Sequence, residues 1–176
     1  MMPRLFSKFL FFFMFLAGMC TTTVAAHKYP KPPSLAFLYQ VNITAGGFYN
    51  IGPGPKGRRA VIPIANGTFA GPQLKGTVLP VGGDWALADA NYLVNGTLFP
   101  DVRQTFLTDD GEYIQVFETG ASQSDGTVFV RLTYEASSLK YYWLNAVVAI
   151  GIIYQVPPNS ITIDTWQMVP PSGPTK

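Results

Sequence analysis

The chain is poor in the side chains that most enzymes use first. It has one cysteine, Cys20, and one histidine, His27. A single cysteine closes no disulfide within the chain and builds no Cys-ligated metal site. A lone histidine near the start leaves no Ser-His-Asp triad and no His-rich metal site to assemble. No P-loop and no dinucleotide-binding glycine fingerprint occurs. Charge is sparse, at 12% Asp, Glu, Lys and Arg, with a formal net charge of +2. Such a balance argues for no nucleic-acid partner. Helical patterning is nearly missing as well.

The first residues read as a leader. Arg4 and Lys8 precede an apolar run, Leu10 to Cys20 (LFFFMFLAGMC), which is followed by TTTVAA with small residues at Ala25 and Ala26. A basic start, a short apolar run and a small-residue site are the marks of a secretory signal over residues 1–26. The run is short for a bilayer span of about 20 residues, so the reading is a secreted or luminal protein with no stable membrane anchor. Without Arg4, Lys8 and Cys20 the remainder carries equal numbers of acids and bases and no thiol. Its fold then rests on core burial alone. Three sequons accord with that route: Asn42-Ile-Thr44, Asn66-Gly-Thr68 and Asn95-Gly-Thr97. Each is an N-glycosylation acceptor in a secreted chain.

What the sequence does have is strands. Residues 27–34 (HKYPKPPS) are Pro-rich and read as an extended lead-in. Runs rich in Val, Ile, Thr, Tyr and Phe then recur at 35–44, 60–64, 73–79, 85–88, 91–97, 102–107, 113–119, 128–135, 142–154 and 160–169. Residues 46–59 (GGFYNIGPGPKGRR) read as a Gly/Pro loop. The apolar run 142–154 admits a buried helix, but its β-branched content and Gly151 favour a long buried strand. Asp109-Asp110-Gly111 and Ser124-Asp125-Gly126 read as hairpin turns with glycine at the positive-φ position. In LKGTVLPVGGDW (74–85), Gly76 allows close approach or a bend, Pro80 ends the ladder and Gly82-Gly83 reverses the chain. The expectation is an all-β fold over 35–169, a single closed antiparallel barrel of about 8–10 strands, with a disordered tail at 170–176.

Three blocks in order, PIANGTFAGPQLKGTVLPVGGDW, LFPDVRQTFLTDDGEYIQV and YYWLNAVVAIG, resemble domain-of-unknown-function family 3237, also called uncharacterised protein family 0311. The resemblance implies a lipocalin-like β-barrel with a central cavity and brings no settled activity. Asn66 stands where that family usually has glycine, and Phe99-Pro100 stands where leucine is usual. By analogy, small secretory-route barrels of fungal natural-product pathways include hetero-Diels–Alderases.

The residues left for chemistry are acids, arginine, tyrosine, asparagine and tryptophan, which suffice for proton transfer and hydrogen bonding to an organic molecule. Asp84, Arg103, Tyr142 and Asn145 are the candidate catalytic groups, and Trp85, Trp143 and Tyr134 the candidate substrate walls. Read as strand residues, Trp143 and Asn145 share a face that Tyr142 does not. Each has a structural alternative: an outward or ion-paired Arg103, a capping Asn145, packed aromatic rings. Asp109, Asp110 and Glu112 resemble an all-carboxylate Ca²⁺ site, though a hairpin turn explains them equally well, and no metal is assigned. Lys56, Arg58 and Arg59 form a basic loop, either solvated or attractive to an acidic ligand. Two functions follow. One is a cofactor-independent enzyme acting on a hydrophobic small molecule, of the cyclase or hetero-Diels–Alder kind. The other is a lipocalin-like carrier or structural protein. A homodimer is compatible with either.

Overall fold

The computed structural model describes residues 30–89, 96–156 and 159–171. The expectations for residues 1–26, for Asn95 and for the end of the tail lie outside these residues. Among the described residues eleven strands form, and the expected strand over 91–97 lies mostly outside them: β1 (Ser34–Ala45), β2 (Tyr49–Gly54), β3 (Gly57–Ala70), β4 (Lys75–Asp84), β5 (Leu87–Ala88), β6 (Leu98–Phe99), β7 (Asp101–Thr108), β8 (Tyr113–Ser122), β9 (Val128–Ala136), β10 (Ala149–Val156) and β11 (Ser160–Val169). Eight of them run in the order β1-β11-β10-β9-β8-β7-β4-β3, every neighbour antiparallel. β3 then pairs back to β1, with Val41 opposite Phe69 and Asn42 opposite Thr68, and this last ladder closes the barrel. β2, β5 and β6 extend β3 at one mouth.

Strict alternation makes these strands one wall of a core. Along β9, Val128, Val130, Leu132, Tyr134 and Ala136 are buried while Phe129, Arg131, Thr133 and Glu135 are exposed. Inside, Tyr39, Phe69 and Phe106 fill the centre. The Phe69 and Phe106 rings stack at 4.2 Å and the Tyr39 ring meets Phe106 edge-on at 5.6 Å. Gly111 and Gly126 both have positive φ in the β7–β8 and β8–β9 turns, as the hairpin reading requires.

Three local expectations give way. The Gly/Pro loop 46–59 is a hairpin, β2 against β3, because Gly52 takes φ +88° where the register shifts and the two strands supply each other's partners. The run 142–154 is not one strand. Tyr142–Ala146 forms a 3₁₀ turn and β10 starts only at Ala149. The chain must cross the barrel end between β9 and β10, and the turn does so while burying Leu144 and the preceding Tyr141. Pro80 does not end its ladder, nor do Gly82 and Gly83 reverse the chain, since β4 continues to Asp84. Two extra residues bulge out between Val78, opposite Phe106, and Gly82, opposite Gln104. A proline lacks the N–H that a ladder needs and is accommodated in a bulge. The glycines serve close packing instead. A Cβ on Gly76 would lie 2.1 Å from the Leu107 carbonyl oxygen, and one on Gly82, itself at φ +117°, 2.2 Å from that of Arg103.

Gly76→Ala should therefore push β4 off β7 and cost about 2 kcal/mol, the usual scale of overpacking. Urea unfolding followed by tryptophan fluorescence reads this as a lower midpoint. An unchanged midpoint would mean that β4 and β7 are not so closely apposed.

Candidate active site

A closed barrel with alternating faces leaves its interior polar groups only one another to bond. Five polar side chains meet there. Gln104 on β7 and Glu118 on β8 are both fully buried, and the Gln104 amide Nε2 donates to Glu118 Oε1 at 2.6 Å. The Tyr39 hydroxyl donates to the Tyr134 hydroxyl at 2.9 Å across the lumen. Thr165, on β11 opposite Tyr39 in register, sets its hydroxyl beside the Tyr39 phenol. Three oxygens of this group, Gln104 Oε1, Glu118 Oε2 and Thr165 Oγ1, have no hydrogen-bond partner. Unpaired polar atoms are rare in a folded interior, and each calls for a partner such as water or for a role in chemistry.

The electrostatics favour a proton on Glu118. Burial pushes its carboxyl up to about 8, and the charge of Asp84 acts in the same direction. Because Oε1 accepts from Gln104, the free Oε2 is the oxygen that carries the proton. Glu118 thus offers a donor, and its bonded neighbour Gln104 a bare acceptor. The Tyr39 and Tyr134 phenols are raised too, by burial first.

Asp84 sits nearer the mouth. Its Oδ1 accepts the Asp101 backbone amide at 2.9 Å. Burial pushes its carboxyl up to about 6 and the Asp101 charge adds to this, while the Asp101 amide and Arg59 oppose it. It is the single ionisable side chain lining a cavity of about 40 Å³ otherwise walled by Ile43, Ile62, Ile64, Ile153 and Ile161. That is room for a few waters. Arg59 holds the rim by donating to the Trp85 carbonyl at 2.5 Å.

The other sequence candidates are spread over the molecule. Arg103 points outward, contrary to an inward catalytic role. It shares the outer face of β7 with Thr105 and Leu107, forms an ion pair with Asp101 at 3.4 Å and lies 5.4 Å over the Trp85 ring. Tyr142 is exposed. Asn145 is outside the barrel and caps the end of β9: its Oδ1 accepts from the Ala136 amide at 2.9 Å and its Nδ2 donates to the Ala136 carbonyl at 2.8 Å. The face that Trp143 and Asn145 were to share does not exist, because the segment is a 3₁₀ turn, and Trp143 packs against the core from below. Tyr134 does face the lumen. Asn42 and Asn66 stand exposed on adjacent outer strands. Asp109 pairs with Lys75 and Asp110 with Lys140, so the acidic turn is occupied by ion pairs. Glu118, Gln104 and Tyr39 are the groups that a search for surface charge misses. The signal for Glu118 is its share in the Ile114, Val116, Glu118 face of β8.

The raised Glu118 carboxyl makes stability depend on pH. The folded chain keeps this proton up to about pH 8, whereas the unfolded carboxyl loses it near the ordinary value of 4.5. The folded state is therefore favoured most at acid pH and loses stability as pH rises towards 8. Asp84 contributes the same sign only below about 6. Between pH 6 and 8 the wild-type chain should lose about 2 kcal/mol, and Glu118→Gln should flatten that decline. Denaturant titrations across this window check it; parallel curves for the two proteins would place the charge of Glu118 elsewhere.

Comparison with known proteins bears on the family and the fold. Residues 33–129 match the family described as Protein of unknown function (DUF3237). The hydroalkoxylation enzyme phnH of Penicillium herquei is 33% identical over 156 residues, covering 87% of this chain and 94% of that protein. The crystal structure of an enzyme from Penicillium herquei superposes with a TM-score of 0.62 at 32% identity, over 80% of this chain and 98% of that one. A β-barrel-like protein from Acinetobacter baumannii superposes with a TM-score of 0.71 at 28% identity, over 80% and 98%. The barrel, its three sequence blocks and these relatives together make the chain a member of the DUF3237 family.

Proposed function

We propose that the protein is a cofactor-independent enzyme of small-molecule biosynthesis that adds a hydroxyl group across a carbon–carbon double bond within its barrel. The observation that carries this reading is the unpartnered Oε2 of the fully buried Glu118, on a carboxyl that bonds Gln104, whose own Oε1 is unpartnered. A donor and an acceptor so placed suit a substrate presenting an acceptor and a hydroxyl side by side. Similarity over most of the chain to a hydroalkoxylation enzyme supports the reaction type. It favours O–H addition over the hetero-Diels–Alder coupling that the same acid would also assist. A carrier of apolar ligands would have no use for a buried acid with a free oxygen.

The reaction needs no electron acceptor. Glu118 gives its Oε2 proton to one carbon of the double bond while the substrate oxygen bonds to the other. The π bond breaks, one C–H and one C–O bond form, and the hydroxyl proton returns to Glu118. Gln104 Oε1 aligns the attacking hydroxyl, and holding both ends together replaces a bimolecular encounter. Tyr39 and Tyr134 line the lumen beside Glu118 and can bond a substrate oxygen. The cavity at the mouth is smaller than the roughly 300 Å³ or more that an organic ligand fills. The isoleucines around Asp84 must therefore part to admit it.

Incubation of the protein with a 2-alkenylphenol in D₂O tests the reaction. The expected product is a closed cyclic ether carrying one carbon-bound deuterium, and Glu118→Gln should slow its formation about 100-fold or more. Binding without turnover would leave the carrier reading, and a cyclic product without deuterium would point to a pericyclic step. Arg103→Ala should turn over near the wild-type rate, since its side chain lies outside the barrel. Turnover in the wild-type protein should fall about tenfold per pH unit above 8, as Glu118 loses its proton. A flat profile to pH 10 would remove Glu118 as the acid.

A further inference from the structure

Where β9, β10 and β11 adjoin, the barrel's outer surface carries an apolar block. Phe129 is 50% exposed and Ile150 39%, and Phe37 and Met168 continue the apolar area along its border. Trp166 lies among them, edge-on to Phe37 at 6.4 Å. A shallow groove bordered by Phe99, Phe129 and Ile150 carries the same surface towards β8. Joined apolar areas of this kind on a soluble protein mark an interaction site.

The register arranges this wall in rows. Trp166, Ile150 and Arg131 stand abreast on the three strands, and Asp164, Ile152 and Phe129 stand abreast in the next row. Arg131 and Asp164 thus occupy opposite corners of an apolar block centred on Ile150 and Ile152. They lie two strands and two residues apart, roughly 12 Å, too far to pair with each other. Neither belongs to an ion pair among the described residues. The Arg131 Nε donates to the Thr119 hydroxyl at 2.9 Å, which leaves the rest of the guanidinium free to point outward. The Gln40 amide donates to Asp164 Oδ1 at 2.7 Å, which leaves Oδ2.

A base and an acid at opposite corners of an apolar block make a surface complementary to itself. A two-fold axis lying in the wall, along the line from Trp166 to Phe129, exchanges the two corners. Asp164 of one copy then faces Arg131 of the other, twice over, while the isoleucines meet at the centre. We propose that the protein forms a two-fold homodimer through this β9–β10–β11 wall, with Ile150, Ile152, Phe129 and Trp166 buried and reciprocal Asp164–Arg131 pairs at its edges. The occupant is a second copy rather than a different partner because the charge pattern is matched by the same pattern rotated. The dimer does not depend on what the interior catalyses.

Light scattering coupled to size exclusion tests it. The wild-type protein should elute with about twice the mass of one chain. Asp164→Arg and Arg131→Asp should each elute as monomers, because each sets like charges against one another at both edges. An equimolar mixture of these two variants should return to the dimer mass, since each then supplies the charge that the other lacks. Ile150→Glu should also be monomeric while keeping the wild-type circular dichroism spectrum. Lys56→Glu, a charge reversal away from this wall, should stay dimeric. A monomeric wild-type protein would overturn the proposal. So would single charge reversals that remain dimeric, or a mixture of well-folded variants that does not recover.

Discussion

The pairing of β3 with β1 is the constraint from which the rest follows. An open eight-stranded sheet would leave two edges of unpaired amides and carbonyls. Closure supplies each edge with the other and needs no disulfide, which suits a chain with one cysteine. It also divides the side chains in two. Everything at one parity enters a lumen of fixed width, and everything at the other meets solvent or a partner. The narrow places where backbones approach most closely are paid for by glycine, as at Gly76 and Gly82.

Closure explains why a few polar side chains carry so much chemistry. Glu118 enters the lumen because its parity matches Ile114 and Val116, and once inside it has no water to ionise into. Its one bonded neighbour, Gln104, is neutral and gives one hydrogen bond. With no cation inside to stabilise the carboxylate, the proton stays on well above the usual carboxylate range. Were a lysine or arginine the partner, the same residue would be an ordinary buried anion and no acid catalyst. The neutrality of Gln104 therefore bears on the proposed role of Glu118 as an acid. At the mouth, Asp84 accepts a backbone amide and lies near Arg59, and its carboxyl rises less.

Much of the fold is legible in the sequence because alternation and turn chemistry are local. Val128–Ala136 declares its two faces residue by residue, and Gly111 and Gly126 declare the turns. The hairpin over residues 49–70 is harder to see, since Gly52 and Pro53 look like breakers until the opposing strand is present to define a bulge. The same holds for Pro80, which interrupts a strand on paper and bulges from one in space. Tyr142–Ala146 has strand composition throughout. Only the need to cross the barrel end and bury Leu144 turns it into a 3₁₀ segment. Among the site residues, charge in a strand draws attention to Arg103, yet Val102, Gln104 and Phe106 already assign it to the outside. Parity, rather than charge, locates Glu118. What parity cannot supply is the pairing of Tyr39 with Tyr134, which are 95 residues apart and meet only after the barrel has closed.

The inner and outer faces are joined by the same strands, and this links the proposed dimer wall to the lumen. On β11, Thr165 lies inside between Asp164 and Trp166, which lie outside; on β10, Gly151 lies inside between Ile150 and Ile152. In register these two inner residues lead to Tyr39 on β1 and to Val130 on β9. In the proposed dimer a second copy pins these strands from outside, which would hold Tyr39 more firmly against Tyr134 than in one chain alone. The mouth around Asp84 draws on the same strands, since Ile153 of β10 and Ile161 and Ile163 of β11 line its cavity. Association through β9, β10 and β11 would therefore bear on the mouth as well as on the lumen, through Ile153, which follows Ile152, and Ile163, which precedes Asp164.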